Sequence, residues 1–311
     1  MTVSVVLSTY NGMKYICEQL DSLLAQTLKP DKIIILDDAS TDGTAQVIKT
    51  YIKDHEGSYP NFSFTINQKN RGWKANFKSL IVSTKADYIF PCDQDDIWLP
   101  TKIEKMVSVM EIYPQFDVLA CSVEPLYEEG AQKVMAGATS NSGAIRTKRL
   151  DSDFMYVRRP GCTYCIRGSF IPLILPYWEE KYPHDAIFWR LATLEGGLGL
   201  LDEPLIKFRR HGGNASARKK QSHLDRLADI KYYIDFIEHA ERFLATSRKC
   251  SDKAVKLLSE CMKWLQARSD LLSEKGKLTD LEIILHDKRF YKSFRSLMLD
   301  ILLSCFKNVE I

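Results

Sequence analysis

Tyr88-Ile89-Phe90-Pro91-Cys92-Asp93-Gln94-Asp95-Asp96-Ile97-Trp98 sets three carboxylates within four positions, directly after an apolar run. The run reads as a buried strand, so the acids fall at its carboxyl end. Like charges this close repel, and an unpaired carboxylate taken out of water is strongly disfavoured. A cation, alone or with a phosphate, is the simplest partner for such a cluster. The stretch therefore marks a candidate metal-assisted nucleotide site.

On either side the chain alternates between strand and helix periods. Val3-Ser4-Val5-Val6-Leu7-Ser8 is an apolar-rich strand, and residues 15–26 have helical spacing through Ile16, Leu20, Leu23 and Leu24. Strands are predicted at 32–38, 62–66, 87–92 and 118–122, and helices at 44–53, 73–83 and 100–113. Alternation at these lengths predicts βαβ units, hence an α/β fold with a mostly parallel central sheet covered by helices on both faces. Such sheets bind ligands outside the carboxyl ends of their strands. Asp37, Asp38, Asp93 and Asp95 all fall at such ends, so the architecture gathers them on one edge.

Residues 123–160 read as a long loop or small strands, and 161–213 as mixed structure. From Ser222 the pattern is helical throughout, near 223–245, 251–275 and 279–305. The expected division is 1–216 for the sheet domain and 217–311 for a C-terminal helical region. Lys288-Arg289-Phe290-Tyr291-Lys292-Ser293-Phe294-Arg295 mixes cations with aromatics. Such a helix lies on an anionic membrane surface, or else packs over the sheet or a partner chain; both readings stay open.

A net charge of +3 is too small to argue for nucleic acid as a partner. The chain opens on a strand, not on a basic segment leading into an apolar core, so no leader is expected. No apolar run reaches the roughly 18 residues of a membrane span. Several of the eight cysteines (Cys92, Cys121, Cys261, Cys305) lie in apolar stretches, as reduced thiols of a cytoplasmic protein do. Cys162 and Cys165 form a Cys-x-x-Cys pair with no second pair to complete a zinc site, which points to a structural role.

Five motifs in order carry a resemblance: Val5-Val6-Leu7-Ser8-Thr9-Tyr10-Asn11-Gly12, Leu36-Asp37-Asp38-Ala39-Ser40-Thr41-Asp42-Gly43-Thr44, Asp93-Gln94-Asp95-Asp96, His184-Asp185, and Phe208-Arg209-Arg210-His211-Gly212-Gly213-Asn214. From Val3 to about Ser216 the chain resembles the inverting glycosyltransferases of family 2, which have the GT-A fold, a Rossmann-like sheet with flanking helices. The resemblance implies a nucleoside-diphosphate sugar donor (dTDP- or UDP-linked), a saccharide or lipid-linked acceptor, and Mn²⁺ or Mg²⁺. Thr9, Tyr10 and Asn11 would line the nucleoside. Asp38 would accept from the ring N–H of a uracil or thymine, with Asp37 as buttress; a carboxylate suits this as an acceptor-only group. Asp95 would be a direct metal ligand with His211, and Asp93 would sit near ribose and metal beside Gln94; Asp96 reads as loop-ordering.

Either Arg209 or Arg210 would meet phosphate, and the glycines at 212 and 213 would let the loop close over the donor. Asp185 is the expected base, in a position where relatives often carry Glu-Asp and this chain has His184-Asp185. As an alternative, Asp185 is a plain helix N-cap. Gly161, Cys162 and Trp189 would shape the acceptor pocket, Trp189 by stacking on a sugar or as a buried tryptophan. The Asp-Gln-Asp-Asp-Ile-Trp form is similar to that of rhamnosyltransferases working on cell-surface polysaccharides, which implies dTDP-L-rhamnose. A UDP-sugar transferase is the alternative, as is a sugar nucleotidyltransferase, although 9–13 lacks the basic glycine-rich loop the latter needs. The resemblance leaves an oligomer and peripheral contact with the inner face of the cell membrane open.

Overall fold

The computed structural model describes residues 1–55, 57, 60–131, 133–135, 137–212, 222–247, 249–273 and 276–305. The chain runs through β1 (Val3–Thr9), α1 (Ile16–Leu24), β2 (Lys32–Asp37), α2 (Thr44–Asp54), β3 (Asn61–Ile66), α3 (Trp73–Ser83), β4 (Tyr88–Cys92), β5 (Ile97–Trp98) and α4 (Lys102–Ile112). There follow β6 (Val118–Tyr127), β7 (Ile145–Thr147), a 3₁₀ turn at Gly161–Thr163, β8 (Tyr164–Arg167), α5 (Ile171–Ile174), α6 (His184–Leu194) and β9 (Leu198–Arg210). The C-terminal helices are α7 (His223–Thr246), α8 (Asp252–Leu272), α9 (Leu278–His286) and α10 (Phe294–Cys305).

The strands form one sheet in the order β3-β2-β1-β4-β8-β6-β9-β5, with β7 against β9. Strands β1 to β4 pair in parallel, as does β6 with β9. Strand β8 runs antiparallel to both β4 and β6. This is the α/β fold with a mostly parallel sheet that the alternation predicts, followed by helices. Val3, Val5, Val6 and Leu7 of β1 are all buried, because a central parallel strand is covered on both faces. Below the sheet, Leu20 and Leu23 of α1 and Ile103, Met106 and Met110 of α4 join Ile33, Ile35 and Phe90 in the core.

The topology assembles one edge. Parallel β1, β2 and β4 deliver Thr9, Asp37 and Cys92 to it. Because β8 is reversed, it is the amino end of β8, with the turn at Gly161–Thr163, that arrives there. The carboxyl end of β9 brings Arg209 and Arg210 alongside Leu126 and Tyr127 of β6.

The chain divides into two compact units, Met1–Lys148 with Val157–Ala192 and Gly196–Ala217, and Arg149–Tyr156 with Thr193–Glu195 and Arg218–Ile311. Two short segments before residue 216 thus belong to the second unit. Gly213, Asn214, Ser216 and the expected boundary at 216–217 lie outside the described residues. The helix expected over 279–305 is broken by a 3₁₀ turn at Lys288–Phe290. Phe290 is buried against Trp264, and Tyr291 meets the same ring edge-on. These two aromatics therefore pack inside the second unit and are not part of an exposed amphipathic face. No helix among the described residues is long and apolar enough to cross a membrane.

Candidate active site

The loop after β1 is held open by its neighbours. Gln94 accepts from the Tyr10 amide at 2.8 Å and donates to the Tyr10 carbonyl at 2.9 Å. Gly12 permits this approach, since a Cβ there would lie 2.2 Å from Gln94 Oε1. Asn11 adopts φ 49°, its amide donates to Ser40 Oγ, and its Oδ1 accepts from the Thr41 amide at 2.9 Å. Gln94 and Asn11 are thus loop clamps, while the Tyr10 ring is 46% exposed and open to a ligand.

Asp37 and Asp38 are both buried, with separate tasks. Asp37 accepts from Thr9 Oγ1 at 2.8 Å and from the Ser40 amide and hydroxyl, so it ties β1 to the loop after β2. Asp38 Oδ1 accepts from Asn67 Nδ2 and the Arg71 amide, and Oδ2 from the Gly72 amide at 2.8 Å. A carboxylate has about four acceptor positions, so Asp38 orders the 67–72 loop and retains capacity for one further donor.

Asp93, Gln94 and Asp95 are half-buried and Asp96 is buried. Burial, with the Asp95 charge next, pushes Asp93 up to about 7, and Asp185 is close enough to add to the rise. Burial also raises Asp96 well above the usual carboxylate range; its Oδ1 accepts from the Arg209 amide at 2.9 Å. Asp95 Oδ2 lies 2.9 Å from His211 Nε2, and the imidazole lies tilted beside Tyr15 with ring centroids 5.1 Å apart. The corner thus gathers two carboxyl groups whose ionisation burial opposes, beside a carboxylate–imidazole pair. Oxygen ligands with one imidazole suit Mn²⁺ or Mg²⁺, so the residues present fit a divalent cation. A tighter grouping, Asp93, Asp96 and Cys162, has its ligand atoms within 4.8 Å of one another. A thiol is a poor ligand for a hard cation, which favours the Asp95–His211 side.

Lys102, absent from the sequence reading, is the internal counter-charge. It is 0% exposed, donates to the Cys162 carbonyl at 2.8 Å, and sits 3.3 Å from the centroid of the Trp98 ring. Burial lowers its pKa, while Asp96 is among the groups that oppose this. Its position in phase with Met106 and Val109 on the inward face of α4 was the available signal.

The expected phosphate arginines are otherwise engaged. Arg209 donates to the Asp95 carbonyl at 2.8 Å, pairs with Glu18 and Glu128, and lies over the Tyr15 ring. Arg210 is 6% exposed and packs on Phe208. The expected acceptor residues are buried. Cys162 and Trp189 are each 1% exposed, so neither side chain is open to a sugar; Trp189 is a packing residue of α6. Gly161 is buried against His184.

Asp185 lies within the first turn of α6 and not at its N-cap. Its Oδ1 accepts from the Ala186 amide at 2.7 Å, and its carbonyl accepts from the Tyr164 hydroxyl, tying α6 to the start of β8. Burial raises its pKa, opposed by Arg190 and Lys74.

A strand-edge acid corner, an imidazole and a separate half-buried carboxylate thus lie together in the first unit. The sequence model of glycosyl transferase family 2 matches residues 4–171, and the chain belongs to that family. An uncharacterised protein of Mycobacterium tuberculosis is 37% identical over 217 residues, 67% of this chain and 59% of that protein, so the chain spans about three fifths of such relatives. A protein of Shigella flexneri named dTDP-rhamnosyl transferase RfbG is 31% identical over 245 residues, 73% of this chain and 80% of that protein. Among solved structures, Staphylococcus aureus TarS 1–349 in complex with UDP-GlcNAc superposes with a TM-score of 0.63 at 15% identity, covering 99% of this chain and 88% of that one. The Pyrobaculum calidifontis mannosyltransferase PcManGT in complex with GDP-Man and Mn²⁺ gives 0.53 at 14% identity, over 99% and 88%. These likenesses establish the GT-A fold.

Proposed function

We propose that the chain is an inverting glycosyltransferase that moves one sugar from a nucleoside-diphosphate donor to a hydroxyl of a saccharide or lipid-linked acceptor. The observation that carries this is the acid corner at the carboxyl edge of the parallel strands, where Asp95 Oδ2 lies 2.9 Å from His211 Nε2, with the Asp185 charge near enough to raise Asp93. The acceptor oxygen attacks the anomeric carbon from the face opposite the diphosphate, the carbon–phosphate-oxygen bond breaks with its electron pair leaving on the diphosphate, and the proton passes to Asp185. Because Oδ1 holds the Ala186 amide, Oδ2 receives that proton. Asp38 and Tyr10 bind the nucleoside, with Thr9 and Asp37 fixing the loop between them. A divalent cation held by Asp95 and His211, with Asp93 beside it, would neutralise the charge that builds on the departing diphosphate.

The donor in this reading is dTDP-L-rhamnose, supported by the Shigella relative and by the Asp-Gln-Asp-Asp-Ile-Trp stretch. The pathway is cell-surface polysaccharide synthesis in the cytoplasm, at the inner face of the membrane. A UDP-sugar is the second reading, favoured by the UDP-GlcNAc bound to TarS. Thermal shift with dTDP-rhamnose, UDP-GlcNAc, UDP-glucose and GDP-mannose, with and without Mn²⁺, separates them, since ligand binding raises apparent stability. The largest Mn²⁺-dependent rise is expected with dTDP-rhamnose, and Asp95→Ala should remove the metal-dependent part. A larger rise with a UDP-sugar selects the second reading, and no rise with any of the four contradicts both.

A further inference from the structure

His184 is the chain neighbour of Asp185, and the transfer chemistry assigns it no task. It opens α6, is 4% exposed, and among the described residues has no hydrogen-bond partner on either Nδ1 or Nε2. Burial drives its pKa down to about 3, so the ring is neutral in any working buffer. An unpartnered imidazole in an apolar box is costly, and a leucine or phenylalanine would fill space without that cost.

The contacts explain its place. The ring packs on Phe77 with centroids 4.1 Å apart and meets Trp73 edge-on at 6.2 Å. Both belong to α3, which begins just after Gly72, the residue whose amide holds Asp38. On the opposite side Nε2 faces Gly161 so closely that a Cβ there would lie 2.1 Å away. Gly161 precedes Cys162, whose thiol groups with Asp93 and Asp96. One imidazole thus touches the helix that follows the loop ordered by Asp38 and the turn that backs the acid corner, and it is the chain neighbour of Asp185.

We infer that His184 is a positioning residue for transfer: keyed into the notch left by Gly161, it fixes the distance between the Asp185 carboxylate and the donor corner. The inference rests on reading Asp185 as the base. A flat five-membered ring fits between Phe77 and the Gly161 backbone, whereas any side chain at 161 would push the ring, and Asp185 with it, away from the donor. Displacement of about 1 Å at a reacting group costs on the order of 100-fold in rate.

The test is a double-mutant cycle of Gly161→Ala and His184→Ala on the full chain. Readouts are release of nucleoside diphosphate from whichever of the four nucleotide sugars gives the largest Mn²⁺-dependent thermal shift, calorimetric affinity for its nucleoside diphosphate, and melting temperature. Gly161→Ala should lower kcat by about 10- to 100-fold with nucleotide affinity unchanged. In the His184→Ala background the same change should cost little, because the clash is gone. A cost of Gly161→Ala that is equal in both backgrounds overturns the inference, as does His184→Ala with wild-type kcat. Loss of kcat and nucleotide affinity together, in step with melting temperature, marks a purely structural role and also overturns it. Should Gly161→Ala fail to fold, the split between kcat and nucleotide affinity in His184→Ala decides alone. Asp185→Asn, run in parallel, separates the failures: normal turnover there sinks the base reading, while loss of turnover there with an unaffected His184→Ala sinks only this inference.

Discussion

Asp185 and Asp95 are both half-buried aspartates of the same unit, yet their partners divide the work between them. Asp95 shares its Oδ2 with His211, an arrangement suited to a cation. Asp185 has a backbone amide on Oδ1 and is pushed upward by burial, with Arg190 and Lys74 pulling the other way. A base must be ionised to accept a proton, so turnover is lost as pH falls through the raised value. The acid limb of kcat against pH should therefore lie above the ordinary aspartate value of about 3.9. Lys74→Met removes one of the opposing cations and should move that limb further up. A limb at or below the ordinary value, or one that moves down in Lys74→Met, contradicts the assignment.

At the level of elements, the second unit is held by a buried ion cluster. Asp300 of α10 is 0% exposed and accepts from Arg226 Nε of α7 at 2.6 Å, Arg268 Nε of α8 at 2.7 Å and the Tyr291 hydroxyl at 2.7 Å. Breaking a buried pair from one side strands the other charge, at a cost of about 3–5 kcal/mol. Asp300→Ala should show that loss in urea unfolding; a change within about 0.5 kcal/mol, as at an ordinary surface site, would mean the cluster is solvated. This cluster and the turn at Lys288–Phe290 were not legible in the sequence, where 279–305 has one continuous helical phase. Strands β1 to β4 and the start of β6 were legible, because apolar runs with β-branched residues have few other uses and acidic ends stand out; β5, β7, β8 and β9 were not. The ion pairs of Arg209 were not legible either: its partners Glu18 and Glu128 lie far away in the chain, and no local pattern announces such a pairing. Trp189 and Lys102 show the limit from both sides, since residue type suggests exposure or charge but the helix phase decides burial.

At the scale of the whole molecule, α10 sets exposed apolar residues beside exposed cations. Phe294 is 75% exposed, Met298 39% and Leu302 46%, one stripe of α10 at a spacing of four residues. Lys288, Lys292 and Arg295 are exposed nearby, and the single acid between Lys288 and Cys305 is the buried Asp300. This face is proposed to touch anionic lipid, in place of the stretch around the buried Phe290 and the half-buried Tyr291. Phe294→Asp should reduce sedimentation with phosphatidylglycerol vesicles several-fold; a wild-type chain that ignores those vesicles contradicts the proposal.

The account turns on the acids at the sheet edge forming a donor site and Asp185 supplying the base. Transfer by Asp185→Asn, measured beside calorimetric binding of the donor nucleotide with Mn²⁺, tests this most directly. The account predicts turnover reduced by at least about 100-fold with nucleotide affinity unchanged. Near-normal turnover, or loss of nucleotide binding in step with activity, would contradict it.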